Sequence, residues 1–308
     1  MSRRTSLALL ALLFALPSPS RTAGPPADSA APLSVGGGGR FSFTIAGDMR
    51  NATDAGEFPA VLAAIRESGG PGAFLVVPGD IDPAEKTARA IADAVGEEFP
   101  WYPVVGNHDV QSRRDLAWIR NLFPSLPGVT RRGPAPCPDT TYSFDRGDAH
   151  FVVLNVYCDS DGEARTDGDI SPELHRWLAA DLADNRRPWV FVFGHEPAFP
   201  QPDATWGTRR HVGDSLDKYP SRRDAFWELL ASRRVTAYVH GHAHQYARLL
   251  RSGVWQIDAG IAQGAGKHDT FLRVTVDAER ATFASWRSLG EGRFQKVDEW
   301  QVVRPVTP

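Results

Sequence analysis

Cysteine, methionine and net charge are all scarce in this chain of 308 residues, and each scarcity excludes something. Two cysteines, Cys137 and Cys158, leave a metal site no thiolate cluster to use and allow at most one disulfide. The 34 Lys and Arg against 37 Asp and Glu give a formal charge of -3, so no broad electrostatic attraction draws the chain to nucleic acid. No Gly-x-Ser-x-Gly element supports a serine hydrolase. Gly260 to Lys267 superficially looks like a phosphate-binding loop, but its spacing is wrong, His268 replaces the required Ser or Thr, and a strand-like run follows. No internal repeat stands out, and 42% hydrophobic residues suffice for one large core.

One apolar stretch stands apart. Arg3-Arg4 precedes Leu7 to Leu16, and small residues follow; this resembles a secretory signal peptide more than a membrane helix, which needs about 20 apolar residues. We expect residues 1–23 to be a signal peptide, 24–40 a flexible Pro- and Gly-bearing leader, and 41–308 the folded domain. The paired arginines also hint at twin-arginine export. Export to the periplasm or the extracellular space follows, with no stable membrane insertion after cleavage. In such a compartment Cys137 and Cys158, which flank an expected hairpin of Thr141 to Phe144 with His150 to Tyr157, are either a disulfide or two buried thiols.

Within the domain, five strand-like runs break at glycine and continue with polar residues. The breaks read Gly47-Asp48, Gly79-Asp80, Gly106-Asn107-His108-Asp109, Gly194-His195 and Gly241-His242-Ala243-His244. The preceding runs, such as Phe41 to Ala46, Ala73 to Pro78, Trp189 to Phe193 and Val235 to His240, have the composition of buried strands. Helical periodicity fills Phe58 to Glu67, Ala84 to Val95, Arg113 to Leu122, Pro172 to Ala183 and Ser221 to Ser232. The order strand, turn, helix, strand argues for an α/β fold. Past residue 250, strand-like runs from Val254 to Val303 suggest a second, more antiparallel sheet. The polar groups are therefore expected at the carboxyl end of one sheet, where open α/β sheets bind ligands. The long polar connection 200–220 is expected to overhang that end.

Carboxylate, amide and imidazole form a borderline-to-hard ligand set suited to Mn, Fe, Zn or Mg. Seven such side chains exceed the needs of one ion, so two divalent or trivalent ions, with Mn, Fe or Zn preferred, are expected. Two-metal sites commonly serve phosphoryl transfer, with a bridging solvent oxygen as the nucleophile.

These blocks, in this order from about Phe41 to about Gly264, resemble the calcineurin-like metallophosphoesterases and within them the purple acid phosphatase branch. Thr141-Tyr142-Ser143-Phe144-Asp145 with His150-Phe151-Val152 is also similar to a hairpin of that branch. The resemblance implies two packed mixed β-sheets flanked by helices, an αββα sandwich. It implies that Asp80 bridges the metals, Asp48 and His244 hold the first, and Asn107, His195 and His242 hold the second. His108 would donate a proton to the leaving oxygen or bind the phosphoryl group, and Asp109 would orient it. The implied substrate is a small-molecule phosphate ester, a monoester before a diester.

The chain departs from that pattern at one place. Arg50 stands where many members have a metal-binding His, and Pro83 where purple acid phosphatases supply a Tyr. The first metal lacks a usual ligand; either Asn51, Asp82 or water substitutes or the first ion is weakly held, and iron-tyrosinate colour is not expected. Arg50 suits a phosphate clamp through its planar fork. Asn51 and His211 join it as expected substrate contacts. His240 and His150 read as structural. A weakened member that binds phosphorylated ligands without turnover is the competing reading.

Overall fold

The computed structural model describes residues 39–50, 57–159, 167–263, 268–290 and 293–304, all within one compact unit. The expected signal peptide, nearly all of the leader, and Asn51 lie outside the described residues. Two mixed sheets pack face to face. One has the order β13-β12-β11-β1-β2-β3 and the other β4-β5-β6-β7-β8-β10-β9.

The first sheet starts with β1 (Phe41–Ile45), β2 (Leu75–Val77) and β3 (Trp101–Pro103), which run parallel. The second holds β4 (Val129–Arg132), β5 (Tyr142–Arg146), β6 (Ala149–Val153), β7 (Trp189–Phe193), β8 (Ala237–His240), β9 (Tyr246–Arg251) and β10 (Val254–Ala259). Of these, β6, β7, β8 and β10 are mutually parallel. The period of two decides which side chains meet between the sheets. On β1, Phe43 and Ile45 face inward; on β7, Phe191 and Phe193 do so, while Val190 and Val192 face the helices. Aromatic rings dominate the space between the sheets: Phe43 stacks on Phe74 with centroids 5.0 Å apart and meets Phe151 edge-on at 5.2 Å, an arrangement that adds to the burial of apolar area.

Helices cover the outer faces. They are α1 (Glu57–Glu67), α2 (Ala84–Val95), α3 (Asn107–Gln111), α4 (Arg113–Leu122), α5 (Pro172–Asp184) and α6 (Pro220–Ser232). Ser171 caps α5 by accepting a hydrogen bond from the Leu174 amide, and Pro172 occupies the first turn, as its sequence leads one to expect. On α2 the buried positions Ala84, Thr87, Ala90 and Ile91 form one face. The edge strands β4 (VTRR) and β9 (YARLLR) carry little of the hydrophobic patterning that would announce them.

Two sequence expectations need correction. The strands after residue 250 do not make a sheet of their own. Instead β10 inserts beside β8, while β11 (Thr270–Val276), β12 (Arg280–Ser288) and β13 (Phe294–Val303) extend the first sheet antiparallel from β1. Nor do the Gly breaks share one sheet: three end β1, β2 and β3, and two end β7 and β8. The reason is that β1 and β7 occupy different layers of one sandwich, so their carboxyl ends meet across the gap between layers.

Cys137 and Cys158 form a disulfide, with Cα atoms 6.0 Å apart. It ties the segment before β5 to the one after β6, with 21 residues of separation. Breaking the bond in a Cys137→Ser/Cys158→Ser protein is expected to lower stability by about 3 kcal/mol, read from urea unfolding, since a loop of this length gives up that much closure entropy. His150 lies buried between Asp145 Oδ1 at 2.7 Å and Asp181 Oδ2 at 2.8 Å. Burial opposes its charge, but these two carboxylates outweigh that and push its pKa up to about 9. A raised histidine stabilises fully below its unfolded pKa of about 6.5 and ceases to do so as pH passes its folded value. Unfolding free energy is therefore expected to fall between about pH 6.5 and 9, and a His150→Gln protein is expected to have lost that slope.

Candidate metal centre

The site is built from five turns. After β1 the chain passes Gly47 into Asp48, and after β2 it passes Gly79 into Asp80; both aspartates are buried. The Asp48 amide donates to the Gly79 carbonyl at 3.0 Å, and the Arg50 amide to the Asp80 carbonyl at 3.2 Å, so the two turns are laced together. Asp48, Asp80, His242 and His244 all have left-handed φ, between 54° and 69°. Asp and His tolerate this region better than most residues, yet it costs about 1 kcal/mol or more each. Concentrating it here points to function.

Glycine at the breaks has a steric reason. A Cβ on Gly241 would lie 2.1 Å from Asp48 Oδ2, and one on Gly106 would lie 2.2 Å from Asp80 Oδ1. The carboxylates fill the space that side chains would need. His242 and His244 follow the end of β8 in a turn.

The side chains converge in two overlapping sets. In one, Asp80 Oδ1 is 3.4 Å from His195 Nε2, which is 3.2 Å from Asn107 Oδ1, which in turn is 3.2 Å from His242 Nδ1. In the other, His244 Nε2 lies 3.4 Å from Asp48 Oδ1. Ligand atoms of Asp48, Asp80 and His195 all lie within 4.8 Å of one another, which links the sets. His195 points its Nδ1 at the Pro78 carbonyl, 2.7 Å away. A proton shared there leaves Nε2 facing the carboxylates, the arrangement that metal-binding histidines use.

The electrostatics fit cations. Burial would push the Asp80 pKa up, but His195 and His108 hold it below the usual carboxylate range. Burial opposes charge on His195 too, yet Asp80 and Asp48 raise its pKa to about 10. Burial and the neighbouring His195 and His211 depress His242, which stays neutral. Its Nε2 is buried with no hydrogen-bond partner. If the proton sits on Nε2, the Nδ1 lone pair faces the Asn107 oxygen; if it sits on Nδ1, Nε2 is a bare acceptor. A cation beside Nδ1 and Asn107 Oδ1 resolves the first case. The donor set, two carboxylates, one amide oxygen and three imidazoles, thus fits two metal ions without thiolate.

The other expected residues take more varied positions. His108 has its ring at the mouth, Nε2 3.8 Å from Asp80 Oδ2, and its amide donates to Asp80 Oδ1 at 3.0 Å. Asp109 does not turn to that ring. Its carboxylate accepts from the amides of Asp80 and Ile81, both at 3.0 Å, and of Gly106 at 2.7 Å; it is fully buried and braces the turn that holds Asp80. Arg50 reaches Asp82, Nε to Oδ1 3.3 Å. The connection 200–220 does reach the site: the His211 ring lies 4.0 Å from the His242 ring, centroid to centroid, and His211 Nδ1 is 3.4 Å from Asp214.

That connection is pinned at both ends. Near its start, Asp203 accepts from the amides of Thr205, Trp206 and Tyr246 and pairs with the fully buried Arg287 of β12, whose Nη2 is 2.5 Å away. Near its end, Lys218 pairs with Asp167 and Arg222 with Asp169. Trp206 packs on His268 and under the Arg287 guanidinium rather than in the centre.

Sequence reasoning passed over Glu196. Directly after His195, it is buried, accepts from Tyr157 Oη at 3.0 Å and the Gly168 amide at 2.9 Å, and burial pushes its pKa up to about 7. An acid directly after His195 was the available signal. His240, as expected, is buried and neutral, its pKa pushed down by burial to about 3.

Residues 41–246 match the Calcineurin-like phosphoesterase family. The chain is 27% identical over 177 residues to a phosphoenolpyruvate phosphatase of Allium cepa, covering 52% of this chain and 31% of that protein. It is 23% identical over 164 residues to purple acid phosphatase 23 of Arabidopsis thaliana, covering 52% and 32%. The chain spans about a third of the length of these relatives. In three dimensions it is similar to PhoD, with a TM-score of 0.57 at 15% identity over 87% of this chain and 73% of the other, a likeness of fold. With its αββα sandwich and the match running from β1 to the start of β9, the chain belongs to the calcineurin-like phosphoesterase family.

Proposed function

We propose that the protein is an exported, binuclear metal-dependent hydrolase of small-molecule phosphate esters, monoesters before diesters. The observation that carries this reading is the pair of donor sets that meet at Asp80. Asp80, Asn107, His195 and His242 would hold one ion; Asp48, His244 and the shared Asp80 would hold the other. Bound there, such ions polarise a phosphoryl oxygen and activate water for in-line displacement.

The chain's own side chains do the rest. Asp109 accepts from three amides, that of Asp80 among them, so the turn carrying Asp80 is preset and the carboxylate that both ions would share needs little reorganisation. His108, at the mouth beside Asp80 Oδ2, protonates the departing ester oxygen from its Nε2. Arg50, beside Asp82, and His211, beside His242, would contact the non-bridging phosphoryl oxygens, a task suited to the Arg fork. Asn51, in the chain next to Arg50, completes the proposed contacts. Export is supported by the basic and apolar amino terminus and by the bonded cysteine pair. Among the described residues no helix is long and apolar enough to cross a membrane. The relatives' names, a phosphoenolpyruvate phosphatase and a purple acid phosphatase, support the preference for monoesters.

Hydrolysis of aryl phosphates by the purified, metal-supplemented protein tests the proposal. Turnover is expected to disappear with chelator, and Asp80→Ala is expected to lower kcat/KM about a thousandfold, equivalent to about 4 kcal/mol. Turnover by neither mono- nor diesters at saturating metal would refute the enzyme and favour a phospho-ligand-binding protein. His108→Ala is expected to cost about 100-fold or more on esters with poor leaving groups and much less on p-nitrophenyl phosphate, whose leaving oxygen needs no proton. Equal losses on both would remove His108 as the acid.

A further inference from the structure

The buried pair Asp203 and Arg287 joins two stretches of chain that are far apart in sequence and both border the site. Five donors converge on the Asp203 carboxylate: the Thr205, Trp206 and Tyr246 amides at 2.7, 2.9 and 3.1 Å, and Arg287 Nη1 and Nη2 at 2.9 and 2.5 Å. Arg287 Nη1 also donates to Thr205 Oγ1 at 2.9 Å, and the Trp206 ring lies against the guanidinium, its centroid 3.9 Å from Cζ. Both charged side chains are withdrawn from water. A carboxylate so placed needs a partner of opposite charge, and the planar Arg fork fixes its orientation by engaging both oxygens.

Tyr246 follows closely on His244, so the Asp203 carboxylate grips the chain just past the histidine turn. Further bonds join the same stretches: the Ala204 amide donates to the Tyr246 carbonyl at 2.8 Å, and Gln245 Nε2 donates to the Gln201 carbonyl. Toward the loop tip, the Gly207 amide donates to the Asp203 carbonyl at 2.9 Å and the Asp203 amide to the Thr208 carbonyl at 2.7 Å, which closes a compact turn. His211 comes soon after Thr208, its ring 4.0 Å from that of His242. Its other bonds lie within the tip, Nδ1 3.4 Å from Asp214 Oδ2 and the carbonyl accepting from Ser215 Oγ at 3.0 Å. The chain thus makes a circuit from His242 through Tyr246 and Asp203 back to His211. At the far end the loop is held by Lys218 and Arg222, 39% and 46% exposed, whose ion pairs solvent screens. The buried pair is the stiffer anchor.

We propose that Asp203 and Arg287 are positioning residues for phosphate recognition: the pair locks the chain after His244 to the turn before His211, and so sets where His211 meets the phosphoryl group without touching it. This rests on the contact proposed above between His211 and the phosphoryl oxygens. A ring held in advance binds without the cost of ordering its loop. Loss of the pair turns a fixed contact into one that each binding event must assemble.

The pair is removed as Asp203→Asn/Arg287→Met, which leaves no lone charge in the interior, and weakened as Arg287→Lys, which keeps the charge but loses the fork. Inorganic phosphate is the probe, titrated calorimetrically into manganese-loaded protein, so the readout needs no turnover. His211→Ala and the pair variant are each expected to weaken phosphate binding about 10-fold, Arg287→Lys by less, and the pair variant combined with His211→Ala by no more than either alone, because both remove one contact. With aryl phosphates the same variants are expected to raise KM and leave kcat within about threefold, as loss of binding common to ground and transition states does. Thermal melts report folding; should the pair variant unfold, Arg287→Lys takes its place in the comparison. In the wild type, the Ala204, Thr205 and Trp206 amides are expected to exchange hydrogen about 100-fold more slowly than those of residues 209–213. Losses that add would overturn the inference, as would phosphate binding that His211→Ala or the pair variant leaves unchanged. So would wild-type amides at 204–206 that exchange as fast as the tip, a result that requires no variant to fold. Coupled losses of phosphate binding without hydrolysis of any ester would overturn the proposed function and leave the inference standing; hydrolysis with additive losses would do the reverse.

Discussion

Asp48 and Asp80 are two carboxylates buried within a few ångströms of each other, and that placement governs everything around them. An isolated ionised carboxylate in a protein interior is too costly to persist. Their close partners among the described residues are histidines rather than lysines or arginines. Histidine can lend a proton, but it can also withdraw it and leave a lone pair, which Lys and Arg cannot do at ordinary pH. His195, facing Asp80 and Asp48, is held charged, whereas His242, buried beside His195 and His211, is held neutral.

The fold supplies the means of bringing those groups together. A single sheet would string the turn residues along one edge, with neighbours about 4.8 Å apart. Facing two sheets instead lets Asp48 and Asp80 from one layer meet His195, His242 and His244 from the other. The turns accept left-handed backbone at four of these residues, and glycine clears the space into which the carboxylates project. A stiff aromatic core between the layers, centred on Phe43, Phe74, Phe151 and Phe191, keeps that strain from relaxing.

Much of this was legible in the residues. Helices with strong caps or clear faces, such as Arg113–Leu122 and Ala84–Val95, stand where their patterns put them. The five breaks were legible because buried strands that end, one after another, in glycine and a metal-type side chain seldom do so unless those side chains share a site. Pairing partners were not legible. Nothing in Thr270–Val276 says that it lies beside β1, 225 positions or more away in sequence, since pairing depends on long-range packing that a local pattern does not encode. The role of Asp109 was hidden for a similar reason: its neighbour His108 made it look like a partner for an imidazole, whereas its real partners, the amides of Asp80 and Ile81, come from another turn. The buried pair Asp203 and Arg287 joins residues 84 apart and left no local trace.

That last pair, with the ion pairs of Lys218 and Arg222 at the far end, has an evolutionary corollary. Between the two anchors, residues 207–214 are exposed except for His211, and the interior makes little demand on their identity. Such a stretch behaves like an interchangeable tip on a rigid handle. Descendants of this chain can rewrite it to suit new leaving groups while the cores of both layers stay unchanged.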